Sequence, residues 1–246
     1  MDSPNETVDD DRRVAVAIDG CPRDDPVARE IGALGDRFSH IAQHYDDKHA
    51  SEEKPIYNAC ASLVVDHAAP RPDDVVLDLG TGTGLIALAL AEDAGHVVGR
   101  DISEGMIEQA RSKAADGGLE NVEFGYGEFR DPQYDGDVDI VVSNFALHHL
   151  PDDGKREAIA AIAELGPRRV VLGDAMDFGS ADPDEPLFDH GVDAANVGLL
   201  VDALTDGGFA VTAVERLHDQ VGVLVAHRTN TDTEVETASR ESTAEP

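Results

Sequence analysis

The chain has no tryptophan, and aromatic residues make up only 4% of its 246 positions. Lysine is nearly as scarce: Lys48, Lys54, Lys113 and Lys155 are the whole set. Nineteen lysines and arginines face 51 acids, which leaves a net charge of −32. So little positive charge excludes a broad basic face of the kind that neutralises nucleic-acid phosphates. The two cysteines, Cys21 and Cys60, make neither a C-x-x-C pair nor a disulfide framework. No apolar run approaches the ~20 residues of a membrane span. The polar stretch Met1 to Arg13 lacks the apolar centre of a signal peptide. These absences predict a cytoplasmic protein that engages neither a membrane nor a nucleic acid.

What is present is acid. An acid excess with little lysine resembles the proteins of salt-loving microbes. At 1 M salt the Debye length is roughly 3 Å, so a surface of this kind does not repel itself there. Residues 1–13 and 229–246 are acidic and aperiodic, and they read as disordered tails. One domain over 14–228 lies between them, with helices over 14–70 and an α/β core over 71–228. Val14 to Ile18 is a short apolar run of no evident role.

The densest information lies in Val75-Val76-Leu77-Asp78-Leu79-Gly80-Thr81-Gly82-Thr83-Gly84. An apolar run ends in an acid and three alternating glycines, and a helix-like run follows. Glycine lacks a Cβ and tolerates positive φ, so a ligand can approach the backbone of such a turn closely. The helix start offers free N–H groups to an anion. A second apolar run, His96 to Arg100, ends in Asp101, 23 residues after Asp78. An acid there can accept hydrogen bonds from both hydroxyls of a ribose. The pattern predicts a site for a nucleoside-containing cofactor. The spacing is G-x-G-x-G rather than the G-x-G-x-x-G of dinucleotide folds. An acid two residues before the first glycine repels a pyrophosphate and suits a cationic ligand.

Beyond Val75, strands and helices alternate. Strands are expected at 75–79, 96–100, 121–125, 138–143 and 169–172. Helices are expected at 83–93, 104–115, 152–164 and 193–206. Two final strands, 210–216 and 221–227, are joined closely enough to form an antiparallel hairpin. Before them, helices are expected from Pro26 to about Tyr45 and from Ser51 to about His67. This alternation argues a parallel sheet covered on both faces.

The glycine stretch resembles the first motif of the class I S-adenosylmethionine (SAM)-dependent methyltransferases. Asp101-Ile102-Ser103-Glu104-Gly105-Met106, continuing to Ala110-Arg111, is similar to that family's D-x-S-x-x-M-x-x-x-A-R pattern. The likeness covers about residues 38–228. It implies a seven-stranded Rossmann-like sheet of order 3-2-1-4-5-7-6 with the last strand antiparallel, and N-terminal helices as a lid. It also implies SAM as cofactor and a small-molecule methyl acceptor, in a monomer or homodimer.

Carried over residue by residue, the resemblance gives cofactor contacts to Asp78, Gly80, Thr81, Gly82, Gly84 and Asp101. Ile102 and Met106 pack on the adenine. Glu128 and Phe129 stand where the family places G-D, with Glu128 one methylene longer. Asn144 and Phe145 lie beside the methionine arm. Proline is absent from the positions where base-amino methyltransferases carry N-P-P-Y. His148 aligns with a histidine that serves as general base in some O-methyltransferases, and a packing or capping role is its alternative. Tyr45 lies where the family places a tyrosine over the acceptor pocket. His40 and His44 share a helix face, but without H-E-x-x-H they read as a polar lid surface, and no metal is expected. The region 181–192 departs from the family pattern and leaves the acceptor unnamed. Two other functions remain open: a SAM-binding regulatory module without turnover, and an NAD-dependent oxidoreductase.

Overall fold

The central strands are apolar on both sides, and that decides where they go. Val76 and Leu77 point to opposite faces of one strand and both are fully buried. Only a sheet covered on both faces accommodates such a strand. In the computed structural model, which describes residues 26–49, 55–179 and 193–229, the strands are β1 (Val75–Leu79), β2 (His96–Asp101), β3 (Val122–Tyr126), β4 (Ile140–Asn144), β5 (Arg169–Asp177), β6 (Ala195–Asn196), β7 (Phe209–His218) and β8 (Val221–Arg228). Their order is β3-β2-β1-β4-β5-β8-β7, with β6 paired to the end of β5. The first five are parallel, and β8 runs antiparallel to both neighbours. This is the expected path, with the two-residue β6 as an addition.

Helices α1 (Pro26–His49), α2 (Pro55–Ala68), α3 (Leu85–Leu90), α4 (Glu104–Asp116), α5 (Asp152–Glu164) and α6 (Val197–Asp206) cover the sheet. On one face Cys60, Val64, Ile86, Leu90 and Ile107 pack against Val76, Val97 and Ile140. On the other, Ile159, Ile162, Leu200 and Leu204 pack against Leu77, Val98 and Val141. Each such side chain contributes about 1.5–3 kcal/mol through burial.

Several boundaries differ from the sequence reading, each for a physical reason. α3 starts at Leu85 because Gly84 holds φ +87, outside the helical region. β5 runs on to Asp177 because β8 pairs with it as far as Ala175 and β6 pairs with Met176 and Asp177. α6 begins at Val197 because the Asn196 side chain caps it, accepting from Gly198 N at 2.9 Å. α1 continues past Tyr45 to His49. The run 14–18, the tail 1–13, the start of the second helix at Ser51, the tail beyond Thr229 and the region 181–192 lie outside the described residues.

α1 lies across the start of α4, and small residues let it approach. A Cβ on Gly35 would stand 2.6 Å from the Ile102 carbonyl oxygen, and one on Gly105 would stand 2.8 Å from Ser39 Cα. Ser39 Oγ accepts from Gly105 N at 3.2 Å and lies 2.9 Å from Ser103 Oγ. Further along, Asp46 accepts from Thr83 Oγ1 at 2.6 Å and pairs with Lys113. The helix is thereby fastened over the carboxyl ends of β1 and β2.

Candidate functional site

Open α/β sheets bind ligands outside the carboxyl ends of their strands, where the strand order reverses. Here that place lies between β1 and β4. Gly80 N and Thr81 N both donate to the Arg100 carbonyl oxygen, at 2.8 and 3.0 Å. The turn is thus tied to β2. Gly80, Gly82 and Gly84 all hold positive φ, at +71, +54 and +87. A Cβ on Gly80 would collide with Ala146 Cβ at 2.3 Å, whereas one on Gly82 would meet nothing within 4 Å. Gly82 lines a cavity, and that open space is the cavity itself.

Asp101, at the end of β2, binds the turn and the next helix together. Its Oδ2 accepts from Gly82 N at 2.8 Å and its Oδ1 from Ser103 N at 2.9 Å. Ser103 caps α4, accepting from Met106 N at 3.3 Å. Burial raises the Asp101 pKa, opposed by these backbone donors. Asp78 is more deeply enclosed, and its Oδ2 accepts from Thr81 Oγ1 at 2.7 Å. Burial pushes its pKa up to about 7.

The cavity runs from this turn to a chamber beneath α1. Asp78, Gly80, Thr81, Gly82 and Asp101 line one end, together with Ile102 and Met106. Glu128 and Phe129 line it from the loop after β3, where Glu128 Oε1 accepts from Tyr126 Oη at 2.7 Å. Asn144 and Phe145 line it from the end of β4. The Asn144 Oδ1 is buried and has no hydrogen-bond partner among the described residues. Of the twelve predicted cofactor contacts, Gly84 alone is absent from the lining. It packs instead against Ala110 and Phe124.

The chamber end is aromatic. Phe145 holds φ +50, which is strained for a residue with a side chain. Its ring stacks on Tyr57 at 5.1 Å between centroids and 22° between planes. Tyr45 hydrogen-bonds Tyr57, and burial raises its phenol pKa. At neutral pH Tyr45 is therefore a hydroxyl, not a base. The two histidines that follow β4 point different ways. His149 lines the chamber, edge-on to Phe38 at 5.2 Å. His148 is buried and does not line it. Its Nδ1 lies 2.6 Å from Asp174 Oδ1, and its backbone N donates to Asp174 Oδ2 at 3.1 Å. Burial and the neighbouring His148 push the His149 pKa down to about 4.

Sequence reasoning missed Phe38, Tyr57 and Asp174. An acid inside the apolar run Val170 to Met176 was the available signal for Asp174. For the two rings it was the scarcity of aromatics elsewhere.

Comparison with known proteins agrees with this geometry. A family model described as "Methyltransferase domain" matches residues 76–166. An uncharacterised methyltransferase of Geobacillus sp. (strain WCH70) is 30% identical over 64% of this chain and 72% of its own length. The chain belongs to the class I SAM-dependent methyltransferases. Demethylmenaquinone methyltransferase of Clavibacter sepedonicus is 34% identical over 68% of this chain and 66% of its own. Against other curated relatives the chain spans less of the partner, 60%, 30% and 63% of its length. The fold is shared with magnesium protoporphyrin IX methyltransferase from Synechocystis, solved with bound SAM. Its TM-score is 0.64 at 20% identity, covering 81% of this chain and 97% of that one.

The cavity fits the methyltransferase cofactor. The space a Gly82 side chain would fill stays open, two carboxylates suit a cation beside a ribose, and a buried Asn144 oxygen awaits a donor. Among the described residues no group of three or more His, Cys, Asp or Glu gathers as a metal site, and no helix is long and apolar enough to cross a membrane.

Proposed function

We propose that this chain moves a methyl group from SAM to a small-molecule nucleophile. One observation carries the reading. A single cavity joins the glycine turn to an aromatic chamber closed over by α1. When bound, SAM supplies a methyl carbon activated by a sulfonium charge.

The chain's own residues do the rest. Asp101 holds the ribose hydroxyls with the lone pairs that Gly82 N and Ser103 N leave free. Asp78 offers a carboxylate to the cationic end. Tyr45, Tyr57 and Phe145 exclude water and align the acceptor, and alignment alone supplies much of the rate in a displacement of this kind. The proton released from an O–H, N–H or S–H acceptor needs a receiver. His149 lines the chamber with a neutral ring and takes that part. His148, proposed from the sequence for the same part, is held on Asp174 and acts behind it. The net charge of −32 opposes an RNA acceptor, and it favours a salt-rich cytoplasm as the working environment.

Incubation with methyl-labelled SAM and a deproteinised metabolite extract tests the reading. Label should pass to a low-molecular-weight product. Binding of SAM without any transfer would instead make the chain a SAM-binding module. Transfer of label to added RNA would overturn the choice of acceptor.

A further inference from the structure

Resting on this reading of the site, we propose that the methyl acceptor is a planar, unsaturated molecule without negative charge, slotted against the Tyr57–Phe145 stack.

The first support is where the aromatic residues lie. The chain has seven phenylalanines, four tyrosines and no tryptophan. Of these few, Phe38, Tyr45, Tyr57, Phe129 and Phe145 line this one cavity. Phe129 and Phe145 also pack against the core, whereas Phe38, Tyr45 and Tyr57 belong to neither core cluster. Rings presented to an open chamber favour a flat partner, because offset-stacked and edge-to-face contacts add to plain area burial.

The second support is geometry. Tyr57 and Phe145 lie nearly parallel as a stacked pair, and both line the cavity. Phe38 stands edge-on to both Tyr45, at 6.4 Å and 72°, and His149, at 5.2 Å and 63°. The left-handed backbone at Phe145 is strained, and Phe145 N anchors it by donating to the Gly173 carbonyl oxygen at 2.8 Å. A ring held at such a cost has its orientation fixed.

The third support is charge. The acids Asp78, Asp101 and Glu128 line the cavity. Arg130 is the one lysine or arginine among the described lining residues, and it is already engaged, donating to Glu157 Oε2 at 2.9 Å. Arg37, exposed on α1 and outside the lining, helps lower the His149 pKa. A carboxylate or phosphate on the acceptor would share the cavity with three acids and meet no unpaired lysine or arginine among the described lining residues, which is unfavourable. A neutral or cationic ring meets no such penalty, and a cation gains from the aromatic faces.

The test uses the full chain saturated with S-adenosylhomocysteine and titrated with four probes of similar size. These are 2-naphthol, isoquinoline, 2-naphthoate and the saturated alcohol 2-decalol. We expect 2-naphthol and isoquinoline to bind about tenfold or more tightly than 2-naphthoate and 2-decalol. In Tyr57→Leu the ratio of 2-naphthol to 2-decalol affinity should collapse toward one. Equal or tighter binding of 2-naphthoate overturns the charge assignment, and equal binding of 2-decalol overturns the planar one. A Tyr57→Leu chain that keeps the wild-type ratio removes the stack from the account. S-adenosylhomocysteine binding is measured first. If it fails, the methyltransferase reading falls and this inference with it; if it succeeds and the probe order is wrong, this inference alone falls.

Discussion

The amide of Gly82 donates to the Asp101 carboxylate over 2.8 Å, joining the glycine turn after β1 to the acid that ends β2. Two sequence features 19 residues apart thus form one wall of one cavity. Asp101 also fixes the start of α4 through Ser103 N. Replacing it should weaken cofactor binding and loosen that helix start together. Asp101→Ala should lower SAM affinity by about 1.5–3 kcal/mol, the scale of hydrogen bonds to a charged group. Calorimetry with the purified variant checks this, and an unchanged affinity would remove the ribose assignment.

Asp78 makes cofactor binding sensitive to pH. Its folded pKa is raised to about 7 by burial, so the free cavity holds a neutral carboxyl below that pH. The shift favours the folded, ligand-free protein as pH falls from about 7 toward 4. A cationic ligand prefers the carboxylate, so binding below pH 7 must release a proton. SAM affinity should therefore fall as pH drops from 8 to 6, by up to about tenfold per unit. Titration in buffers of different ionisation enthalpy should show proton release at pH 6 and little at pH 8. Asp78→Asn should abolish the pH dependence.

The histidine pair separates two roles. His149→Ala should lower methyl transfer by about tenfold or more while SAM affinity changes little. With its pKa near 4, the rate of the native chain at saturating SAM should stay level from pH 7 down to about pH 5. An unperturbed histidine would instead lose rate below about 6.5. His148→Ala and Asp174→Asn should both reduce stability, because each leaves a buried polar partner unmet. A larger loss of turnover in His148→Ala than in His149→Ala, with stability unchanged, would return the base to His148.

The cavity wall around the glycine turn was legible in the sequence, and the aromatic chamber was only partly so. Glycine spacing, a terminal acid and a capping serine are local signals, since each residue's partner lies on an adjoining strand or turn. Asp78, Gly82 and Asp101 could therefore be placed on one cavity wall from their pattern, and Met106 from the family resemblance. The direction of His148 and His149 could not. It depends on Asp174, 26 residues away on β5, and on a turn whose Phe145 holds positive φ. Tyr57 belongs to a helix whose register over the sheet is set by close contacts among Cys60, Val64 and Gly173. Strand alternation and the short final hairpin pointed to a parallel sheet with an antiparallel end, and the strand order itself came from the family resemblance. The two-residue β6 was not legible, because a pairing that short leaves no periodic signal.

Salt tests the reading of composition. A net charge of −32 repels itself in dilute buffer, and screening relieves it. The melting temperature should rise as KCl goes from about 0.1 to 2 M. A flat or falling curve would contradict a surface adapted to salt.

Calorimetric titration with S-adenosylhomocysteine and NAD, on the native chain and on Gly82→Val, tests the central claim most directly. A Cβ at Gly82 meets only open cavity, so the branched side chain should occupy the cofactor's place and leave the surrounding packing intact, apart from the strain of its positive φ. The account predicts that the native chain binds S-adenosylhomocysteine in the micromolar range, about −8 kcal/mol, ignores NAD, and loses binding in a still-folded Gly82→Val. Binding of NAD in preference to S-adenosylhomocysteine, or undiminished binding in the variant, would contradict it.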